Sequence, residues 1–386
     1  MKWVSSMARN RGDVVLVTGA CGFLGQHVLK QLQQDVTVSE IRGLDKVPLE
    51  DYSIIGCSEI EGSAKIQFFI NDLLNIEDCR GPFRNADVVI HCAGLVSYDF
   101  PPNYEELQKN NVDVTENVVK LCIDQNVQRL IYCSTTEVTL RSYIKGGIVA
   151  MVIYEKESKL RTPDDESRLM MGAYAVSKLR AEKIVLEANG ELLSNETDKL
   201  KTVSIRPTLL YGEGDTKFIS RILKYGKLCG NSLPRLAGKG GKQQMTYVGN
   251  AAWGLVCAKN TLRERPQSIA GLPITITDDD EVNDITRFCE RITKDSDCYI
   301  KRSSWCIPLP VSYLLALVVE LTVSVSNKFI GGLVYPISPT SLIAYVGSVF
   351  LYDRSRASIH LDYTPIYSPD DSINLSKKYY QRCLTH

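Results

Sequence analysis

The sequence predicts an α/β fold in which a doubly wound parallel sheet is followed by a smaller C-terminal region. Three observations predict it. Short apolar runs such as VVLV and VVIH alternate with segments whose apolar residues recur at helical spacing. A glycine-rich turn joins the first run to the first helical segment. Small and polar residues follow the later runs, at the edge where the strands of a parallel sheet end together.

The composition is that of a globular protein. Of the 386 residues, 44% are hydrophobic and 23% are charged, and the formal net charge is zero. Because there is no basic field, we expect no nucleic-acid partner. The 12 cysteines are scattered without CxxC pairs, and there are only four histidines. We therefore predict no metal site and expect most cysteines to lie in a core.

The chain divides into three parts on its sequence pattern. Residues 1–12 form an N-terminal tail, 13–212 a nucleotide-binding domain that carries the catalytic residues, and 213–386 a substrate-binding region. The stretch 307–325 is apolar except for Glu320, and 329–352 holds no charged residue. Because about 20 apolar residues span a bilayer, we predict a membrane-associated segment at about 307–352. It would consist of one embedded or interfacial helix near 309–325 and an apolar hairpin. The alternative is a buried helix followed by an apolar loop.

The first strand leads directly into TGACGFLG, residues 18–25. Gly19 would allow the turn, Gly22 would let the backbone approach a pyrophosphate, and Gly25 would let the helix pack closely on the strand. The start of the helix then presents free N–H groups and a partial positive charge to the phosphates. This pattern is typical of a dinucleotide-binding Rossmann fold. The residues predicted to bind the cofactor here are Thr18, Gly19, Gly22, Phe23, Leu24 and Gly25.

The second strand, EIRGL, ends at Asp45. An acidic residue at this position binds the adenosine ribose hydroxyls and repels a 2′-phosphate. We therefore predict NAD rather than NADP, although Lys46 follows directly and weakens that preference.

The third and fourth strands end in further candidate cofactor residues. Asp72 ends KIQFFIN and would bind the adenine edge, with Leu73 beside it, or would cap the following helix. The fourth strand continues into Ala93 and Gly94, a turn that we also expect at the cofactor. His91, on that strand, is predicted to be a core residue.

The stretch GAYAVSKLRAEK, residues 172–183, places Tyr174 and Lys178 four positions apart at the start of a predicted helix. Oxidation of an alcohol requires a base for the hydroxyl proton, and free tyrosine, with a pKa of about 10, is a poor base at neutral pH. We predict that the Lys178 ammonium lowers the pKa of Tyr174 and also holds the ribose hydroxyls. A hydroxyl from the end of the fifth strand would orient the substrate oxygen, and the candidates are Ser134, Thr135 and Thr136.

Together these motifs resemble an extended short-chain dehydrogenase/reductase, with TGxxGxxG at 18–25 and YxxxK at 174–178. Within that superfamily the chain resembles the 3β-hydroxysteroid dehydrogenase/Δ5-isomerase family, from about residue 14 to residue 372. The stretches that carry the closer resemblance are EIRGLDK, HCAGLVSYD, YCSTTEV, AYAVSKLRAEKIVLEANG, IRPTLLYGEGD, TYVGNAAWGLVCA and LDYTPIYSPDDSI.

The resemblance implies roles for further residues. It places Thr135 at the catalytic Ser/Thr position, with Tyr174 as the base and Lys178 as its partner. Asn111 matches an asparagine that supports the active site. A strand and turn beside the nicotinamide would add Arg206, Pro207 and Thr208, of which Pro207 is a predicted cofactor residue.

The activity that the resemblance implies is NAD-dependent oxidation of the 3β-hydroxyl of a steroid or sterol to the 3-ketone. A Δ5-to-Δ4 isomerisation would be a further step, and the sequence does not identify its proton carrier. One alternative is a decarboxylating sterol-4α-carboxylate 3-dehydrogenase, which acts on an acidic substrate. The alternative from another class is a non-catalytic NAD-binding regulator, against which the presence of both Tyr174 and Lys178 counts. A sugar-nucleotide epimerase shares the first domain, but the apolar C-terminal half argues against it.

The expected partners follow from the substrate class and the apolar segment. They are a steroid or sterol substrate and membrane lipid, and a homodimer is expected by analogy alone. The expected location is the endoplasmic reticulum membrane, and a mitochondrial membrane is equally compatible.

Overall fold

A parallel sheet of seven strands forms the centre of the computed structural model. The structure describes residues 12–50, 54, 64–141, 151–155, 162–238, 240–296, 298–329 and 331–385. The predicted N-terminal tail, apart from Gly12, lies outside these ranges.

The strands, in chain order, are β1 (Asp13–Thr18), β2 (Val38–Asp45), β3 (Ile66–Ile70), β4 (Val88–His91), β5 (Arg129–Cys133), β6 (Met151–Glu155), β7 (Lys201–Pro207), β8 (Leu209–Tyr211), β9 (Ser232–Arg235), β10 (Lys242–Gln243), β11 (Met245–Tyr247), β12 (Pro273–Ile276), β13 (Lys301–Cys306) and β14 (Val349–Tyr352). The helices are α1 (Phe23–Gln33), α2 (Ile76–Phe83), α3 (Tyr104–Leu107), α4 (Val114–Asp124), α5 (Gly172–Glu187), α6 (Ile219–Leu228), α7 (Val248–Glu264), α8 (Ile285–Thr293), α9 (Leu309–Phe329), α10 (Pro339–Gly347), α11 (Ser355–His360) and α12 (Pro369–Thr385). A π turn, Gln108–Asp113, joins α3 to α4.

The order of the strands in the large sheet is β12-β7-β5-β4-β1-β2-β3, and every neighbouring pair is parallel. This confirms the predicted doubly wound fold. The chain leaves β1 towards β2 on one side and returns to β4 on the other. The two halves of the sheet therefore separate between β1 and β4, and at such a point the crossover loops leave a crevice beyond the carboxyl ends of the strands.

The central strands are apolar because helices cover both faces of the sheet. All six residues of β1 are buried. Val28, Leu29 and Leu32 of α1 are fully buried as well, and α1 packs against α7. Each buried side chain of this size stabilises the fold by about 1.5–3 kcal/mol, so the glycine turn between β1 and α1 lies in a rigid part of the molecule.

The boundary predicted at residue 212 does not separate the elements cleanly. Strand β12 forms the edge of the large sheet beside β7, and α7 packs on α1. Both elements come from the predicted substrate-binding region. The remaining part of that region contains the parallel pair β9–β13 and the helices α6, α8, α9, α10 and α12.

Helix α9 contains the whole of the predicted helix at 309–325 and continues to Phe329. Within the described residues it is the one helix whose length and composition would allow it to cross a membrane. Ser312, Ala316 and Val323 are buried on one side of α9. The exposed apolar side chains on its other faces are Val311, Leu314, Leu315, Leu317, Val318, Leu321, Val325 and Phe329.

The prediction of an apolar hairpin at 329–352 is wrong. Helix α10 and strand β14 occupy the second half of this stretch, and β14 pairs with β6 and β10. Ile343, Tyr345 and Phe350 are buried in the protein. These apolar residues complete the protein core, which composition alone does not distinguish from contact with lipid.

Candidate active site

The glycine turn packs so closely that side chains are excluded at two positions. Gly19 has a φ of +68°, and a Cβ atom there would lie 2.6 Å from the backbone nitrogen of Ala93. A Cβ atom on Gly25 would lie 2.0 Å from the Gly19 carbonyl oxygen. Helix α1 begins directly after Gly22, and no side chain caps it. Its N-terminus is therefore free to bind an anion such as a pyrophosphate.

A cavity of about 430 Å³, here called the cofactor cavity, lies at the carboxyl edge of the large sheet. All the predicted cofactor-binding and catalytic residues except Thr18 line it. They are Gly19, Gly22, Phe23, Leu24, Gly25, Asp45, Asp72, Leu73, Ala93, Gly94, Thr135, Tyr174, Lys178 and Pro207.

The placement of Thr18 differs from the prediction. Its side chain is fully buried, and its hydroxyl is 2.7 Å from Nδ1 of His91. The other ring nitrogen of His91 is 3.0 Å from the Thr115 hydroxyl, and burial lowers the pKa of His91 to about 3. The pair thus fixes the ends of β1 and β4 from inside the core, and His91 is the core residue that the sequence predicts.

Asp45 lies at the end of β2 and faces the cofactor cavity. Its Oδ2 atom accepts a hydrogen bond of 2.9 Å from the Cys21 N–H in the glycine turn. Lys46 is directed to Asn110, with 2.9 Å between its Nζ and the Asn110 Oδ1. The carboxylate can therefore accept from a ribose hydroxyl, while Lys46 and Asn110, which also line the cavity, bond to each other. This arrangement fits NAD better than NADP.

Asp72 does not cap the helix that follows it. Helix α2 has Asn75 at its N-cap position, and Asp72 instead accepts a hydrogen bond of 3.0 Å from the Leu74 N–H. The alternative role as a helix cap is thus excluded, and Asp72 remains a wall residue of the cofactor cavity.

The first turns of α5 carry Tyr174 and Lys178, which are both more than nine-tenths buried. Lys178 Nζ donates a hydrogen bond of 2.8 Å to the Cys133 carbonyl and lies 4.4 Å from the centre of the Tyr132 ring. Both contacts come from β5, so the sheet fixes the position of the ammonium group relative to the catalytic helix.

Asn111 supports this arrangement from the π turn before α4. Its amide donates to the Leu95 carbonyl at 3.0 Å and to the Ser177 hydroxyl at 2.8 Å, and its Oδ1 accepts from the Leu95 N–H at 2.6 Å. The side chain thereby ties the chain after Gly94 to helix α5. Single π turns occur often at functional sites, and this one directs a fully bonded asparagine between the cofactor and catalytic elements.

The expected lowering of the Tyr174 pKa by Lys178 is wrong for this arrangement. Burial raises the pKa of Tyr174 well above its ordinary value, and the charge of Glu137 raises it further. Burial also lowers the pKa of Lys178. The physical reason is that the buried ammonium is directed at the Cys133 carbonyl and the Tyr132 ring, while a carboxyl group lies near the phenol.

Glu137 and Tyr98 belong to the site, although the sequence analysis did not select them. Both line the cofactor cavity, and the Tyr98 hydroxyl donates a hydrogen bond of 2.9 Å to Glu137 Oε1. The other oxygen, Oε2, is buried and has no hydrogen-bond partner in the described ranges. Burial raises the pKa of Glu137 to about 7. The available signal was an acidic residue directly after the hydroxyl-rich strand end CSTT.

Arg206 does not lie at the cofactor as predicted. Its guanidinium forms a buried ion pair with Glu182 of α5, with Nε 2.9 Å from Oε2. Its neighbours in sequence, Pro207 and Thr208, do line the cofactor cavity. Because successive residues of a strand point to opposite faces, Arg206 is directed under α5 while Pro207 is directed to the cavity.

A second cavity, of about 630 Å³, adjoins the first. We call it the apolar cavity, and its apolar walls come from α6, β9, α9, α10 and the chain before α10. These apolar lining residues include Ile222, Leu233, Val319, Ile337, Leu342 and Val346. Tyr98, Lys217 and Phe218 line both cavities.

Two structural contacts hold the shared wall in place. Phe100 and Tyr335 exchange backbone hydrogen bonds of 2.9 Å in both directions, which fixes the chain at Tyr98 beside the chain before α10. The buried carboxylate of Asp215 accepts hydrogen bonds from the backbone N–H groups of Lys217 and Phe218, at 2.9 and 3.0 Å. The junction between the cavities is therefore built from well-anchored residues.

Residues 16–309 match the model of the 3-beta hydroxysteroid dehydrogenase/isomerase family. The chain belongs to this family. The match covers most of the chain and includes the glycine turn, the YxxxK pair and all residues of the cofactor cavity.

Solved structures with the same fold have low sequence identity to this chain. UDP-glucuronic acid 4-epimerase from Bacillus cereus, in complex with NAD, is 19% identical, with a TM-score of 0.61 over 96% of this chain and 99% of that chain. MoeE5, in complex with UDP-glucuronic acid and NAD, is 20% identical, with a TM-score of 0.60 over 96% of this chain and 99% of that one. A UDP-galactose 4-epimerase is 12% identical, with a TM-score of 0.64 over 96% and 99% of the two chains. At these identities the similarity shows the fold.

The cofactor of this 3-beta hydroxysteroid dehydrogenase/isomerase family member is NAD. The family and the geometry agree on this point: the glycine turn excludes side chains, the start of α1 is uncapped, and Asp45 lines the cavity with a carboxylate that can accept from a ribose hydroxyl. The chain is accordingly an NAD-dependent enzyme of the oxidoreductase and epimerase type.

Proposed function

We propose that this enzyme oxidises the 3β-hydroxyl group of a steroid or sterol to the 3-ketone with NAD. The observation that carries the proposal is the apolar cavity, which shares Tyr98, Lys217 and Phe218 with the cofactor cavity. Its volume of about 630 Å³ lies in the range of about 300–1,000 Å³ that is usual for small-molecule sites.

The walls of the apolar cavity favour a fused hydrocarbon ring system over a sugar nucleotide. Phe218, Ile222, Ile337 and Leu342 offer no hydrogen bonds to hydroxyl groups. Burying apolar ligand surface against them contributes about 25 cal/mol per Å², whereas burying the hydroxyls of a sugar without partners would cost free energy. Charged residues also line this cavity, namely Lys217, Arg221, Arg235 and Asp284. A substrate that is mainly hydrocarbon and carries a few polar groups therefore suits it best.

The catalytic roles follow from the positions of three side chains at the cofactor cavity. Tyr174, in its phenolate form, takes the proton from the substrate hydroxyl. Thr135 Oγ1 already accepts a hydrogen bond of 3.2 Å from the Glu137 N–H, so its own O–H is free to donate to the substrate oxygen. Lys178 holds the ribose hydroxyls. NAD, when bound, supplies the hydride acceptor and a positive charge that favours the phenolate.

Glu137 supports a second step, the shift of a Δ5 double bond to Δ4. Such a shift moves a proton between two ring carbons and needs one group that both accepts and donates it. Glu137 lines the cofactor cavity, has a free Oε2 atom, and has a pKa of about 7 because it is buried. A carboxyl group with that pKa is present in both protonation states near neutral pH.

Lys217 favours one second candidate, the decarboxylating oxidation of a sterol-4α-carboxylate. This lysine lines both the cofactor cavity and the apolar cavity. An ammonium group there can bind a carboxylate. The two candidates share Tyr174, Thr135 and NAD, and they differ in whether the substrate carries an acidic group.

The exposed apolar side chains of helix α9 support the proposal that the enzyme acts at a membrane surface. The helix exposes a row of large apolar side chains to the outside and contributes Val319 to the apolar cavity. Glu320 accepts hydrogen bonds from Ser338 and Thr340, which fixes α9 to the start of α10. We therefore propose that α9 lies in the membrane interface with one side on the protein, so that sterols reach the cavity from the lipid.

The test is a substrate panel in detergent micelles with NAD, in which near-UV absorbance reports NADH. The panel contains a 3β-hydroxy-5-ene steroid, a 4α-carboxysterol and UDP-glucuronic acid. We expect steroid-dependent NADH, and we expect Leu342→Arg, which places a charge in the apolar cavity, to lower kcat/KM for the steroid at least about tenfold. The matched control is Leu192→Arg, at a leucine that is 56% exposed. Conversion of the sugar nucleotide without steroid oxidation would contradict the proposal.

A further inference from the structure

Two free cysteines lie side by side at the floor of the cofactor cavity. Strands β4 and β5 are parallel neighbours, with His91 opposite Tyr132. Continuing this register by one residue places Cys92 beside Cys133, and both residues line the cofactor cavity. Both are free thiols. Neighbouring strands lie about 4.8 Å apart, and a disulfide joins Cα atoms about 4.4–6.8 Å apart.

The environment gives the two thiols different acidity. The Cys133 thiol donates to the Ser134 carbonyl at 3.7 Å. The neighbouring Cys92 thiol, with a further contribution from the charge of Lys178, lowers the pKa of Cys133 although the residue is buried. The neighbouring Cys133 thiol and burial raise the pKa of Cys92 well above its ordinary value. A more acidic thiol beside a protonated one is the arrangement of an attacking and a resolving cysteine.

A third thiol in the cavity shows how specific this arrangement is. Cys21, in the glycine turn, also lines the cofactor cavity. Burial, together with the nearby charge of Asp45, raises its pKa to about 11. Cys21 therefore favours its protonated form, unlike Cys133.

We propose that Cys92 and Cys133 form a dithiol site that peroxide oxidises to a disulfide, and that this disulfide and bound NAD exclude each other. The Cys133 thiolate attacks hydrogen peroxide, which forms a sulfenic acid and releases hydroxide. The Cys92 thiol then attacks the Cys133 sulfur, the S–S bond forms, and water leaves. Two thiols lose two electrons and two protons in total, and one peroxide becomes two waters.

The disulfide would disturb groups that the cofactor needs. The Cys133 carbonyl accepts the hydrogen bond from Lys178 Nζ at 2.8 Å. Cys92 directly precedes Ala93, whose nitrogen would lie 2.6 Å from a Cβ atom on Gly19. The chain after Cys92 thus packs against the glycine turn so closely that a small shift would make the two segments clash. Forming the S–S bond reorients both side chains at these strand ends, which carry the hydrogen-bond partner of Lys178 and the Ala93 turn, and Lys178 and Ala93 both line the cofactor cavity. In the reverse direction, NAD bound in the cofactor cavity would shield the sulfurs, because both cysteines line that cavity.

The experiment uses the full chain and reads out NAD binding, so that it does not depend on the proposed sterol substrate. The protein is treated with hydrogen peroxide, the peroxide is removed with catalase, free thiols are blocked with a maleimide, and NAD affinity is measured by calorimetry. We expect a peptide pair linked through Cys92 and Cys133, a loss of NAD affinity of at least about tenfold, and recovery with dithiothreitol. Saturating NAD, added before peroxide, should prevent the link.

The variants separate this site from the other cysteines. Cys92→Ser and Cys133→Ser should each show the same NAD affinity before and after peroxide. Cys229→Ser, at an exposed cysteine outside the cavity, should lose affinity like the wild type. Phenylarsine oxide tests the thiol pair without oxidising it, because it forms two As–S bonds with the pair and releases water. Its effect on the wild-type protein requires no variant. It should lower NAD affinity in the wild type and spare Cys92→Ser.

Three results would each overturn the proposal: no Cys92–Cys133 link after peroxide, a link that leaves NAD affinity unchanged, or an equal loss of affinity in Cys92→Ser. If the serine variants do not fold, the linked peptide and the phenylarsine oxide titration of wild-type protein still decide the question.

Discussion

The ring of Tyr98 lies edge-on to the ring of Tyr174, with their centroids 5.0 Å apart and their planes at 69°. Through its hydroxyl, Tyr98 also donates to Glu137. One tyrosine therefore contacts both proposed acid/base groups and lines both cavities. In the proposed reaction, a substrate in the apolar cavity would present its ring to Glu137 and its hydroxyl to Tyr174.

Removing the phenolic oxygen of the base should stop oxidation and leave NAD binding intact. General base catalysis contributes about 10²–10⁴-fold to rate, so we expect Tyr174→Phe to lower kcat for steroid oxidation by at least about 100-fold. The matched control is Tyr104→Phe, at a tyrosine that is 70% exposed, which should retain wild-type activity. Calorimetric NAD affinity should be unchanged in both variants. A Tyr174→Phe enzyme with wild-type kcat would assign the base to another residue.

Glu137→Gln should separate the two chemical steps. The amide keeps the shape of the side chain and can still accept the hydrogen bond from Tyr98, but it cannot carry a proton between ring carbons. We expect NADH formation to persist while formation of the conjugated enone falls by at least about 100-fold. Near-UV absorbance at the two bands follows both products in one cuvette. A parallel loss of both signals would show that Glu137 acts in oxidation or in folding instead.

The raised pKa of Glu137 also predicts a dependence of stability on pH. The pKa is about 7 in the folded protein against an ordinary value of 4.5, so the folded protein binds the proton more tightly. The free energy of unfolding therefore falls as pH rises from about 4.5 to 7. At about 1.36 kcal/mol per pKa unit, the Glu137 contribution is at most about 3 kcal/mol. Urea unfolding of wild type and Glu137→Gln across this range should give a difference that changes by that order. A pH-independent difference would contradict the raised pKa.

The exposed side of α9 should determine binding to membranes. We expect Leu315→Glu combined with Leu321→Glu to reduce cosedimentation with phospholipid vesicles at least about tenfold, because each buried leucine contributes about 1.5–3 kcal/mol. Leu192→Glu is the matched control, because Leu192 is 56% exposed and Leu315 is 53% exposed. Equal vesicle binding by the double variant and the control would place the membrane contact elsewhere.

The sequence predicts the fold and the cofactor cavity well because both rest on local patterns. Gly19 and Gly25 are needed for one turn, and the strand ends that carry Asp45 and Gly94 must meet because parallel strands end at one edge. The roles of Tyr98 and Glu137 could not be predicted in this way. Their contact depends on the pairing of Phe100 with Tyr335, which are distant in the chain, and no local pattern encodes it.

Two other differences between the sequence-based predictions and the structure also arise from long-range contacts. Apolar composition at 339–352 fits lipid and protein core equally well, so the core role of Tyr345 and Phe350 depends on where β14 pairs. Arg206 looks available in the sequence, but its charge is neutralised by Glu182 on a different element. Long-range pairings of this kind decide which polar residues remain for function.

The most direct test of the central claim is transfer of label from C3 of the substrate. A 3β-hydroxy-5-ene steroid that carries deuterium at C3 is incubated with the enzyme and NAD, and the reduced cofactor is analysed by mass spectrometry. The account predicts one deuterium per NADH formed, a slower rate than with unlabelled steroid, and no transfer in Tyr174→Phe. Unlabelled cofactor, or turnover of a UDP-sugar in place of the steroid, would contradict it.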